Sequence, residues 1–83
     1  MTIKAAKKLM LNFMDKYRGK TVRFMSLTSD EDKLGFVLIK SFQYFDFLPK
    51  YDRIVRAMNN AEAQAKNNFK AWGYKDALAI PKD

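Results

Sequence analysis

An α+β fold, with two helices packed on a small antiparallel sheet of two or three strands in the order α-β-β-(β)-α, is what this 83-residue sequence predicts. Three observations predict it. Apolar residues recur at three- and four-residue spacing over residues 3–18 and again over 50–72. The stretch between them is rich in β-branched and aromatic residues. Polar turn formers divide that stretch near its middle.

The first helix is expected over residues 3–18, with Thr2 placed to cap it and Gly19 to end it. At about 100° per residue, Ile3, Ala6, Leu9, Met10, Phe13, Met14 and Tyr17 share one side. Lys4, Lys7, Lys8, Leu11, Asp15 and Arg18 share the other. Residues 21–28 and 36–47 read as the two strands of a hairpin, with a bend near Ser41 that splits the second and Lys40 facing water. Residues 29–33 form the turn between them, and Gly35 suits a bulge or turn exit. Pro49 opens the second helix, where its missing N–H costs little, and Gly73 stops it after residue 72. Tyr51, Ile54, Met58, Ala61, Ala65, Phe69 and Trp72 form its buried face. Residues 74–83 read equally as an extended strap or a frayed tail.

Length permits one small domain, residues 1–83. A 48% apolar content and twelve aromatic residues suffice for a core, so the chain is not of the disordered class. Sixteen Lys and Arg against nine acids leave a formal charge of +7. Residues 1–28 carry seven basic groups and one acid, and residues 50–83 carry seven and four. Such a balance points to polyanionic or acidic partners.

His and Cys are both absent, which removes the commonest acid–base group and the thiolate nucleophile. Asp30, Glu31 and Asp32 lack the spacing and central glycine of a calcium loop, and the three glycines stand apart rather than forming a phosphate cradle. The expectation is a protein that is not an enzyme and takes no cofactor, metal or small-molecule substrate. No apolar run nears the roughly 20 residues that span a bilayer, and the basic N-terminal stretch lacks the apolar core of a signal peptide. Together with the lack of cysteine, this predicts a soluble cytoplasmic protein without membrane contact.

Two groups of residues are candidates for partner contact. Lys4, Lys7, Lys8 and Arg18 share the outer face of the first helix, and Lys20 and Arg23 follow; Asp15 is the sole acid among them. Such a face neutralises phosphates with release of counterions. Lys50, Arg53, Arg56, Asn60, Gln64 and Asn67 belong to the second helix, the last five within an arc of roughly 100°. Asn is a poor helix former, so its presence in mid-helix calls for a reason. Arg, Asn and Gln also suit base edges and RNA backbone. Phe42, Tyr44, Phe45, Phe47 and Tyr51 can stack unpaired bases, although a small domain needs such rings inside.

Helix, short antiparallel sheet, helix is an order that resembles the layout of double-stranded-RNA-binding domains, with Lys50, Arg53 and Arg56 near that family's basic segment. The likeness is one of layout and charge. The family's Lys-Lys-x-Ala-Lys motif is missing, and Asp30, Glu31 and Asp32 stand where a phosphate-facing loop belongs. The leading expectation is a non-catalytic nucleic-acid-binding protein, RNA favoured over DNA. Its rival is a small basic protein–protein module: an inhibitor, antitoxin or adaptor of phage type, docking on an acidic or nucleic-acid-handling protein. Oligomeric state is left open.

Overall fold

A computed structural model describes residues 1–72 and 77–82. Three α-helices and one two-stranded antiparallel sheet follow in the order α1 (Ile3–Lys16), β1 (Thr21–Arg23), α2 (Asp30–Tyr44), α3 (Lys50–Lys66) and β2 (Ala77–Ala79). A single 3-10 turn, Phe24–Ser26, follows β1. The architecture is thus α+β, but mostly helical, and its order is α-β-α-α-β.

α1 begins as the sequence predicts. The Thr2 hydroxyl accepts from the Ala5 N–H at 3.1 Å. The helix closes at Lys16, and Gly19 turns the chain at φ 75° just beyond it. β1 is shorter than the expected strand 21–28, and its partner is not the next segment. It pairs with β2 near the C-terminus, Val22 opposite Leu78. The Gly19 N–H donates to Ile80 O and the Ile80 N–H to Lys20 O, extending this seam. Residues 77–82 are therefore a strap with Leu78 and Ile80 buried. Gly73, the expected stop of the second helix, and residues 74–76 of the tail lie outside the described residues.

The main correction concerns residues 30–44, where α2 replaces the turn and the second strand of the hairpin. The double-stranded-RNA-binding layout goes with it. Ser29 caps this helix, its hydroxyl accepting from the Asp32 N–H at 3.1 Å. Asp30, Glu31 and Asp32 fill the first turn, where negative charge complements the helix dipole. The run Leu34 to Ile39 shows no helical period because the helix is covered on nearly every side. Phe36, Val37, Leu38 and Ile39 are all buried. Burial of this kind outweighs the strand preference of Val37 and Ile39, which amounts to a fraction of a kcal/mol per residue.

Gly35 is no bulge. It lies where α1 and α2 touch, and a Cβ there would meet Phe13 Cβ at 2.9 Å and Leu9 O at 3.2 Å. Phe36 packs edge-on against Phe13, Phe24 and Trp72 at ring-centre distances of 6.2, 5.5 and 6.0 Å. Lys40 does not face open water; its ammonium donates to Ala77 O and ties β2 to α2.

α3 starts directly after Pro49 but ends at Lys66, not at residue 72. Asn68 and Phe69 adopt φ of 55° and 57°. Asn tolerates this left-handed conformation, whereas Phe does so only when its surroundings impose it. Phe69 is buried, 5.6 Å from the Phe24 ring, so packing of that side chain holds the reversal.

Candidate functional site

The apolar arc of α1 is wider than one partner helix can cover. Leu9, Ala6, Phe13, Tyr17, Met10, Ile3, Met14 and Leu11 span about 200° of the helix, while a single buried stripe needs only about 100°. Ala6 and Phe13 use one half of this arc against the core beside α2. The other half borders an open groove of about 530 Å³. α2 contacts both other helices extensively, while α1 and α3 meet only briefly, which leaves the gap.

Ile3, Met10 and Met14 from α1, Phe42 from α2 and Ile54 from α3 line the groove. Leu11, 60% exposed, and Tyr51, 68% exposed, also line it, on the α1 and α3 sides. Its two charged residues are Lys7 on α1 and Lys50 at the start of α3. Among the described residues, none that lines the groove is acidic. The Met1 ammonium, 2.9 Å from Glu62, ties the beginning of α1 to α3.

Lys4, Lys7 and Lys8 are exposed and pair with no carboxylate among the described residues. Lys50 is the same. Lys20, just before β1, and Arg23, at its end, are also exposed, but beyond the opposite end of α1, a helix about 20 Å long. Arg18, just past the end of α1, bonds the Asp15 carboxylate in that helix's last turn. The basic residues of the N-terminal third therefore form two groups, with the first beside the groove.

Two residues of the Arg, Asn and Gln arc of α3 bond to α2. Arg53 donates through Nε to Phe42 O in the last turn of α2, and its guanidinium lies 3.8 Å from the Phe42 ring centre. That bond satisfies one of the carbonyls a helix end leaves free. Asn60 donates to the buried Ser41 hydroxyl at 2.6 Å, which accounts for an Asn in mid-helix. Gln64 is half-buried and Asn67 closes the helix. Arg56 remains exposed, 5.9 Å from the Phe45 ring.

The acidic segment is structural at one position. Asp32 accepts from Lys16 Nζ and Tyr17 Oη, each at 2.7 Å, pinning the end of α1 to the start of α2. Burial would raise the Asp32 carboxyl, but hydrogen bonds from Lys16, Tyr17 and Ser29 prevail and hold it below the usual range. The same contact pushes Lys16 and Tyr17 upward. Among the described residues, no three carboxylates gather into a metal-binding cluster.

Tyr44 and Phe47 are 73% and 72% exposed around the turn between α2 and α3. They stand at the end of a helix rather than on a sheet, with Phe45 between them at 5.1 and 6.1 Å. The sequence sets Met10 and Met14 on the apolar side of α1 and Leu11 among the lysines of the other. The width of the apolar arc was the signal that could have found the groove. No protein-family model, curated protein or solved structure matches this chain. Among the described residues no helix is long and apolar enough to cross a membrane.

Proposed function

We propose that this protein is a non-catalytic docking module for an acidic protein surface, engaged through the basic face of α1. One observation carries the reading: Leu11 stands 60% exposed among Lys4, Lys7 and Lys8, which pair with no described carboxylate, and its apolar surface continues into the groove. A phosphate backbone rewards the lysines and offers little to Leu11. A protein surface uses both, an apolar contact for affinity and a charged rim for steering and orientation.

A second reading, nucleic-acid binding with RNA favoured over DNA, has its own support. Exposed Tyr44, Phe47 and Tyr51 lie on or beside the turn that leads into Lys50, and exposed rings beside cations suit stacking on unpaired bases. One experiment separates the two. The chain is recovered from its native cells at low salt, and the species bound to it is identified. A single acidic protein at fixed stoichiometry supports the docking reading. Material absorbing at 260 nm and removed by ribonuclease supports the second. The variant K4E/K7E/K8E abolishes recovery of either species while its circular dichroism spectrum stays native. Recovery that survives this triple reversal overturns both readings.

A further inference from the structure

We infer that the groove between α1 and α3 receives one amphipathic helix from an acidic protein, with its apolar side chains on Met10, Met14, Phe42 and Ile54 and its carboxylates on Lys7 and Lys50. This rests on the docking reading and names the element it would recognise.

Shape argues for a helix. The groove is flanked by two helices, and about 530 Å³ holds a few side chains rather than a folded edge. Anchors at i, i+3 or i+4, and i+7 present side chains along one line in this manner. A small apolar ligand fits less well, because such sites enclose most of their ligand's surface. Here Leu11 and Tyr51 leave the mouth open.

Chemistry argues for acidity. Lys7 and Lys50 line the groove from different helices, Lys4 and Lys8 extend the charge along α1, and among the described residues no lining residue opposes them. A neutral or basic helix would leave these ammonium groups unmatched, and a second copy of this chain would bring its own charge of +7. Met10 and Met14 add side chains that adapt to different apolar partners.

The test uses the full chain and three 16-residue peptides. One places Leu at i, i+3, i+7 and i+10 with Glu flanking that face. The second substitutes Lys for each Glu, and the third scrambles the acidic sequence. Fluorescence anisotropy should show the acidic peptide binding at least about tenfold tighter than either control, with affinity falling as salt rises. Two variants separate the contributions. L11Q/Y51Q removes exposed apolar surface without changing charge and should weaken binding roughly tenfold or more. K7E/K50E should lose the preference for acid over base.

Both pairs include exposed positions, and circular dichroism checks their fold. Acidic peptide bound equally well by L11Q/Y51Q sinks the groove, and the native-cell recovery then decides the docking reading on its own. Failure of the acidic peptide to bind better than the basic one overturns the groove's acidic preference. If the native-cell recovery also yields no acidic protein, the docking reading falls with it. Binding to single-stranded RNA or anionic vesicles that L11Q/Y51Q abolishes, or self-association through the groove in sedimentation, likewise overturns the inference.

Discussion

Replacing Gly35 with Ala sets two opposing effects against each other. Ala is the better helix former by about 0.8–1 kcal/mol, and Gly35 lies within α2, so propensity alone predicts stabilisation. The structure predicts the reverse. The added methyl would lie 2.9 Å from Phe13 Cβ, 3.2 Å from Phe13 Cδ2 and 3.2 Å from Leu9 O. Two of those atoms belong to a fully buried ring side chain and one to helical backbone, so none is a flexible chain end that can swing aside. Forcing an extra methyl into such a contact costs about 1–3 kcal/mol. The balance is a net loss of about 1 kcal/mol, which lowers Tm by about 4–8 °C in a domain of this size. Urea titration and thermal melts followed at 222 nm, native chain against G35A, measure it. A G35A variant as stable as the native chain or more so would show that α1 does not approach α2 this closely, and the groove derived from that placement would go with it.

Two further effects follow from the ends of the helices. Ser29→Ala removes the cap of α2 and should cost about 1 kcal/mol in urea titration, whereas a strand or open turn at 29–33 would make it nearly neutral. Asp32 is held below its ordinary range in the folded chain, so its contribution is intact above the unfolded value of about 3.9 and fades as pH falls toward the lower folded value. The stability gap between native chain and D32N should therefore be largest near neutral pH and narrow below about pH 4; a gap constant from pH 7 to pH 3 would show that Asp32 is not paired with Lys16 and Tyr17.

α1 was legible because its signals are local. Thr2, the three- and four-residue apolar spacing and Gly19 lie within one short segment and agree with one another. α2 was not, because its identity depends on what surrounds it. A helix covered on almost every side loses the amphipathic period that marks helices, and Val37, Ile39 and the Phe residues around them carry strand preference. The countersignal was the pair Ser29 and Asp32, three apart and just before an apolar run, a helix-start pattern that resembles a polar turn when read without it. The pairing of β1 with β2 joins residues more than fifty positions apart, and no local pattern announces it. At the candidate site the cations were legible by type but not by role. Arg53 and Asn60 look like recognition residues in the sequence and act between α2 and α3, and only the fold distinguishes them from Lys4, Lys7 and Lys8.

The position of α2 also explains why the groove exists. A short chain gains stability by closing every apolar gap it can, since it buries a smaller share of its surface than a large domain. Here the central helix takes contacts from both flanking helices, and α1 is fixed against it by Gly35 at one level and Asp32 at another. Those two restraints leave the Met10, Leu11 and Met14 side of α1 only lightly covered by α3. Larger side chains at Leu11 or Ile54 could fill the gap without disturbing either restraint, whereas the sequence there offers slender methionines and two lysines. An apolar cleft edged by exposed lysines contributes less to folding than a filled one. Its chemistry matches the helix proposed to occupy it, acidic at its edges and apolar along its centre.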